Sequence, residues 1–281
     1  MLLGAHISAA GGVSLVLPRA AELGCNTLQF FSRNPQRWRD RSLDVSQGSG
    51  FREAREETGI SPVFIHSPYL INLASPEKGL FLASVDAVVE DIQDAFLLGA
   101  DHIVIHMGSH KESGEDAGLS RLAAALNTII KRTGDCPVGI LLENSSGSGN
   151  CLGYEFAHLR RVLYSLEGPD RVGVCLDTAH AFAAGYDISS AGGLGRLIKE
   201  IDGKVGLKRL KLIHLNDSKS ACGSRVDAHE HIGRGRIGMA GIGRIINHPA
   251  LSGSPFILET PKDSPKADTL NLNTVRKLRR R

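Results

Sequence analysis

Six short apolar runs along the chain each stop on a histidine or a carboxylate: PVFIH (62–66), HIVIH (102–106), VGILLE (138–143), VGVCLD (172–177), LKLIH (210–214) and PFILE (255–259). Each is rich in Val, Ile or Leu and gives way to polar residues or Gly, the pattern of parallel strands buried on both faces. MLLGAH (1–6) and TLQFF (27–31) bring the strand candidates to eight. The intervening stretches carry helical spacing, which predicts helices over 13–24, 49–59, 77–99, 115–133, 155–167, 192–206, 239–247 and 266–280. Within 77–99, Val85, Val88, Val89, Ile92 and Phe96 fall on one predicted buried face, with Glu90, Asp91, Gln93 and Asp94 opposite.

Strict alternation of strand and helix without a linker predicts an α/β chain forming one domain over 1–281, a (β/α)₈ TIM barrel, with 266–281 as a C-terminal helix or basic tail. A doubly wound open sheet uses the same alternation. The positions of the polar run-ends favour closure, because residues ending the third to eighth strands converge only if all C-termini face one opening.

Those run-ends are His66, His106, Glu143, Asp177, His214 and Glu259, joined by His180, Asp227 and His229 a few residues downstream. Imidazole and carboxylate suit zinc, manganese or iron, and no thiolate forces a choice. Nine ligands exceed what one ion needs, so two or three metals are implied. Taken singly, each residue has a plainer reading. His66 and His106 read as hydrogen-bonded core histidines, His214 as the end of a strand, and Asp177 as an acceptor for helix-start N–H groups. Glu143 and Glu259 demand a charge partner, which Arg or Lys would also satisfy. The convergence of all nine favours metal. Four carboxylates against three divalent ions leave the mouth positive, and two ions roughly 3.5–4 Å apart can hold both oxygens of an in-line displacement at phosphorus. Phosphodiester hydrolysis is the expected chemistry.

The loops add a candidate nucleic-acid surface. RNPQRWRDR (33–41) sets Arg33, Arg37, Arg39 and Arg41 beside Trp38, suited to phosphate contact and base stacking, with a solvated arginine loop as the alternative. Tyr69 and Leu70 directly follow His66, where apolar side chains can wedge between bases. Lys219, Arg225, Arg234 and Arg236 flank Asp227 and His229, while the KLRRR end (277–281) reads as a solvated tail. The net charge of +3 permits a nucleic-acid partner without requiring one. Five scattered cysteines form no CxxC, so neither a disulfide framework nor a thiolate zinc site is indicated, and a reducing cytoplasm is expected. No signal peptide or membrane-length apolar run is evident. GxxxxGK[ST], HExxH and GxSxG are missing; the Gly-rich stretches 143–150 and 233–241 are expected to serve tight loops around the mouth.

The segments GVCLDTAHAFAAGYD (173–187), LIHLNDSKSACGSRVDAHEHIGRG (212–235) and GAHISAAGG (4–12) resemble endonuclease IV, the metal-dependent apurinic/apyrimidinic endonucleases of base-excision repair. YLINLA (69–74), HMGSH (106–110), LLEN (141–144) and ILET (257–260) match as well, and the resemblance runs from about residue 2 to 260. It implies a TIM barrel with three zinc ions that cuts double-stranded DNA 5′ to an abasic site, leaving a 3′-hydroxyl and a 5′-deoxyribose phosphate. One ion would be held by His66, His106 and Glu143, a second by Glu143, Asp177, His214 and Glu259, and a third by His180, Asp227 and His229. Glu143 or Glu259 would assist proton removal from the attacking water. Gln36 aligns with a position where the family usually inserts an arginine into the duplex, and here the arginine is next door at Arg37. Tyr69 and Leu70 keep the other half of the wedge, with Arg225 as a further DNA contact. Met107 stands where a proline is common, which would loosen a turn. Such an enzyme is expected to be cytoplasmic, nucleoid-associated in a prokaryote, monomeric and free of membrane.

Two rival readings are a sugar isomerase or epimerase of the same barrel superfamily, with one or two ions and no need of the third group, and a protein that binds damaged DNA without cutting it.

Overall fold

The computed structural model describes residues 1–38 and 43–280; Arg39, Arg41 and Arg281 lie outside them. Eight parallel strands form one sheet: β1 (Leu3–Ala5), β2 (Leu28–Phe30), β3 (Val63–His66), β4 (His102–His106), β5 (Gly139–Glu143), β6 (Val172–Asp177), β7 (Leu210–His214) and β10 (Phe256–Leu258). Every predicted strand run contributes one. They pair in the order β1-β10-β7-β6-β5-β4-β3-β2. A parallel bridge between His6 and Gln29, with Ile7 N donating to Gln29 O at 2.7 Å, joins β1 to β2 and closes the barrel. That seam is tight enough to require glycine: a Cβ on Gly4 would lie 1.8 Å from the Thr27 carbonyl oxygen.

Strand alternation sorts the side chains into two cores. Ile65, Ile105, Leu142, Leu176 and Ile213 point outward and pack beneath the helices. Phe64, Val104, Leu141, Cys175, Leu212 and Ile257 point inward and form a separate, fully buried layer across the barrel. Two residues further along each strand, the same inward face presents His66, His106, Glu143, Asp177, His214 and Glu259. Neighbouring strands bring these level, pairing His106 with Glu143 and Asp177 with His214.

The outer ring comprises α1 (Val16–Glu22), α2 (Val45–Thr58), α3 (Lys78–Leu98), α4 (Glu115–Thr133), α5 (Phe156–Tyr164), α6 (Thr178–Ala184), α7 (Ala191–Lys204), α8 (Gly238–Asn247) and α9 (Ala267–Leu278). The second helix begins earlier than its periodicity predicts, because Asp44 and Gln47 make a reciprocal capping box. Helix α6, foreshadowed only by the helix-start reading of Asp177, and an antiparallel pair of two-residue strands, β8 (Asp217–Ser218) with β9 (His229–Glu230), lie outside the predicted elements.

Three expectations need correction. On α3, Val85, Val88, Val89 and Ile92 are buried as predicted, but Phe96 is 56% exposed and Asp91 is fully buried. Asp91 meets Arg33, whose Nη2 lies 2.9 Å from Asp91 Oδ1 and whose Nη1 lies 2.9 Å from Glu90 Oε2, so this arginine anchors the loop after β2 to the helix rather than facing a ligand. At the other end, Arg276, just ahead of KLRRR, donates to the carbonyls of Leu23 and Gly24; within KLRRR, Arg279 donates to that of Ile246 and is tied down, while Lys277 and Arg280 are exposed. No helix among the described residues is long and apolar enough to cross a membrane.

Candidate metal centre

The nine sequence-predicted ligands meet at the C-terminal mouth of the barrel. His66, His106 and Glu143 form one group whose ligand atoms lie within 4.8 Å of one another; Glu143, Asp177, His214 and Glu259 form a second; Asp177, His180 and His229 form a third. Asp227 joins this last group, with Oδ2 3.1 Å from His180 Nε2 and Oδ1 3.5 Å from His229 Nε2. Glu143 sits between the first two groups. Its Oε2 is 3.2 Å from His66 Nε2 and 3.3 Å from His106 Nε2, and its Oε1 is 3.0 Å from His214 Nδ1.

The outward nitrogens of three histidines fix which ring atom faces the centre. His66 Nδ1 lies 2.7 Å from Ser67 O, His180 Nδ1 3.0 Å from Asn144 O, and His229 Nδ1 3.0 Å from Glu259 O. A carbonyl only accepts, so each of these nitrogens carries a proton and donates it. The opposite nitrogen of each neutral ring then points a lone pair at carboxylate oxygens. His229 Nε2 is buried with no hydrogen-bond partner, 3.7 Å from Asp177 Oδ2. Lone pairs facing carboxylates repel unless a cation lies between them, and a ring whose distal N–H is held by a fixed acceptor is how metal-ligating histidines are built. The donor set therefore fits divalent ions.

Without ions, protons meet the same demand. Burial alone would lower the histidines, but neighbouring acidic groups outweigh it: Asp177, Asp227 and Glu143 hold His180 well above its ordinary value, and the Cys175 thiol with the Glu259 and Glu143 carboxylates does the same for His214. Burial likewise works to raise Glu143, yet His214, His106 and His180 hold its carboxyl well below the usual range. Glu259 is lowered against burial by His214 and His6. His106 is instead lowered, desolvation by the surrounding mouth together with the neighbouring His66 and His180 outweighing Glu143.

Asp177 serves twice. Its Oδ1 accepts the backbone N–H of His180 at 2.7 Å as the N-cap of α6, so the helix-capping reading and the ligand reading hold for one residue. Its Oδ2 accepts from Asn216 Nδ2 at 2.7 Å, and the Asn144 side chain pairs with the Asp177 backbone in both directions. Residue chemistry alone does not point to Asn144 or Asn216. Nor does it point to His6 and Gln29, which reach the same layer from β1 and β2; Gln29 Nε2 donates to Glu259 Oε1 at 2.6 Å. Strand register is the signal that would have found them, since each lies two residues beyond an inward Gly4 or Thr27.

The candidate DNA contacts rim the mouth. Gln36 and Arg37 are exposed on a turn held by Asn34, which accepts from both backbone N–H groups. Tyr69 is 69% exposed, its ring 5.5 Å from Phe31 and 6.0 Å from His66, and Leu70 lies beside it, half-buried. Arg225 lies over the Tyr154 ring at 4.6 Å with φ of 55°, and its N–H donates to Ala183 O. Met107 is fully buried, and the following turn is clamped by Asn72, whose Oδ1 accepts from Ser109 N and whose Nδ2 donates to Ser109 O. The Gly-rich stretch after β9 also has an internal role: the N–H groups of Gly233, Gly235, Ile237 and Gly238 all donate to the buried carboxylate of Asp217. A concavity of about 1250 Å³ opens at the opposite end of the barrel, near Asp101, His102, Gly139 and Lys211, and contains none of the nine ligands.

A family model described as a xylose isomerase-like TIM barrel matches residues 17–280. The chain is 43% identical to a probable endonuclease 4 of Methanoculleus marisnigri over 99% of each sequence, and 42% identical to one of Halothermothrix orenii over 97% of this chain and 98% of that one. The crystal structure of endonuclease IV from Thermus thermophilus superposes with a TM-score of 0.89 at 35% identity, covering 99% of this chain and 98% of that one.

Proposed function

Since this chain belongs to the endonuclease 4 family and is an endonuclease of that type, we propose that it hydrolyses the phosphodiester 5′ to abasic sites in double-stranded DNA, leaving a 3′-hydroxyl and a 5′-deoxyribose phosphate. The observation that carries this reading is the meeting of all nine candidate ligands at one mouth, in three groups, with the distal nitrogens of four histidines held by fixed acceptors.

His66, His106 and Glu143 would hold one divalent ion, Glu143, Asp177, His214 and Glu259 a second, and His180, Asp227 and His229 a third, with Asp177 near enough to the third group to share it. Imidazole-rich sites of this kind favour zinc, with manganese or iron as partial substitutes. When bound, such ions supply Lewis acidity and lower the pKa of water. Glu259 is the better placed of the two catalytic carboxylates to take a proton from attacking water: its side chain is 18% exposed at the mouth, whereas that of Glu143 is wholly enclosed by histidines. Glu143 holds the first two groups in register.

On the rim, Tyr69 and Leu70 would enter the duplex beside the lesion, and Arg37 would hold phosphate while Gln36 wedges. Arg225, braced on Tyr154, would contact the backbone near the third group. Substrate is thus an extended duplex across an open mouth. The third group separates this reading from a sugar isomerase, which needs fewer ions.

A duplex carrying one tetrahydrofuran abasic analogue, which cannot undergo β-elimination, tests the proposal when the ends are mapped with and without chelator. Incision on the 5′ side that chelator abolishes is expected. Its absence from the metal-replete protein would overturn the reading, and duplex binding without cleavage would point to a recognition protein.

A further inference from the structure

Gln29 is fully buried in the barrel lining and bonds three members of the mouth at once. Its Oε1 lies 2.8 Å from His214 Nε2, and its Nε2 lies 2.6 Å from Glu259 Oε1 and 3.0 Å from His6 Nδ1. The amide orientation follows from this network. Turned over, it would set an amide oxygen 2.6 Å from a carboxylate oxygen, two acceptors in contact.

We propose that Gln29 is a positioning residue that selects the tautomer of His214 and holds the rotamer of Glu259, so that both present their free atoms to one cation. An amide oxygen only accepts, so His214 must carry its proton on Nε2. That leaves Nδ1, 3.0 Å from Glu143 Oε1 and 3.3 Å from Glu259 Oε2, as the ligand atom. His66, His180 and His229 do the opposite, donating from Nδ1 and facing inward with Nε2. Their acceptors are backbone carbonyls, beyond the reach of substitution. His214 alone among these four depends on a side chain, and the same amide uses its donor on Glu259 Oε1, leaving Oε2 turned toward His214. His6 completes the arrangement as an acceptor at Nδ1. Its ring packs against Phe31, centroids 4.4 Å apart. Outer partners of this kind typically govern metal affinity by about 10–100-fold.

This role rests on the metal-centre reading and is tested apart from activity. Zinc retained per chain is measured against increasing chelator in the wild-type protein, Gln29→Leu and Gln29→Glu, with circular dichroism reporting the fold. Gln29→Leu is expected to release one ion at roughly 10–100-fold lower chelator while the others keep their release profile. Gln29→Glu keeps the acceptor for His214 but loses the donor to Glu259, and is expected to fall between the two. Identical release from all three proteins would overturn the proposal, as would equal weakening of every ion in a folded variant. If Gln29→Leu fails to fold, the isosteric Gln29→Glu decides. In ¹⁵N-labelled, metal-free wild-type protein, the His214 Nε2 proton should exchange slowly and lose that protection in the Leu variant. This readout survives even if the chain takes up no zinc, an outcome that would sink the metal-centre reading; an unprotected Nε2 in the wild-type protein would sink the role of Gln29.

Discussion

Oδ2 of Asp227 stands 3.1 Å from Nε2 of His180, joining a half-exposed loop to a buried helix. The loop is pinned by Gly223 N to Phe182 O and Arg225 N to Ala183 O, so the carboxylate reaches the third ligand group by its backbone's attachment to α6. Asp227→Asn keeps the shape and removes the charge. About one zinc fewer per chain is expected, with incision slowed by roughly 100-fold or more, the scale of losing one electrostatic stabiliser. Metal analysis beside single-turnover cleavage checks it, and an unchanged metal content would remove Asp227 from the ligand set.

Glu143 faces histidines from β3, β4, α6 and β7, so neutralising it should disturb two ligand groups together. Glu143→Gln is expected to abolish cleavage while leaving binding of abasic duplex largely intact, as read by gel shift beside an incision assay. Retained turnover would take Glu143 out of the mechanism.

Arg33 and Asp91 give a pH-dependent prediction away from the mouth. Burial pushes the Asp91 carboxyl up to about 7 even though Arg33 works to lower it. A folded pKa raised above the unfolded value means stability is greatest at low pH and is lost as pH rises through the folded pKa. Arg33→Met removes the counter-charge and raises that folded pKa further. The variant should lose about 3–5 kcal/mol at alkaline pH, and regain much of it near pH ~6, where Asp91 is protonated. Urea unfolding at the two pH values measures this, and adding Asp91→Asn should flatten the difference.

Gly4→Ala would drive a methyl into the Thr27 carbonyl at the seam between β1 and β2. The destabilisation should exceed the ~1–3 kcal/mol usual for overpacking, because backbone rather than a flexible side chain must move. A wild-type melting temperature would show that the seam is looser than its geometry.

Arg37 and Gln36 are separable by salt. Arg37→Ala should weaken abasic-duplex binding and flatten its dependence on salt by about one unit of slope, whereas Gln36→Ala should weaken lesion binding with the slope unchanged. Fluorescence anisotropy across a salt series distinguishes them, and the reverse pattern would reassign the wedge.

Strand-end ligands were legible in the sequence because a charged group after four apolar residues conflicts with burial and so announces itself. Gln29 and His6 made no such signal; their meaning comes from pointing the same way as their strand neighbours, which only closure of the barrel reveals. The start of helix α6 was legible only as the helix-capping reading of Asp177; the seven residues after it are too short for a clear helical period, and one aspartate both ends the strand and caps the helix. The predicted face of α3 holds at Val85, Val88, Val89 and Ile92, but the burial of Asp91 was unreadable for a tertiary reason: nothing within the helix tells that Arg33, from another loop, will pair with it. The division of the nine residues into three sets came from the resemblance to endonuclease IV; the third cluster in the structure takes in Asp177 with His180 and His229, and Asp227 stands beside it, a nearness that required coordinates.

The inward layer of Phe64, Val104, Leu141, Cys175, Leu212 and Ile257 is a waterproof floor beneath the ligand cluster. Whatever enters or leaves the cluster, whether water, proton or ion, must pass through the mouth, where substrate is proposed to bind. On the proposed reading, a duplex lying there would act as a stopper, so exchange of zinc loaded into the cluster with solution isotope should slow while DNA is held and resume on its release.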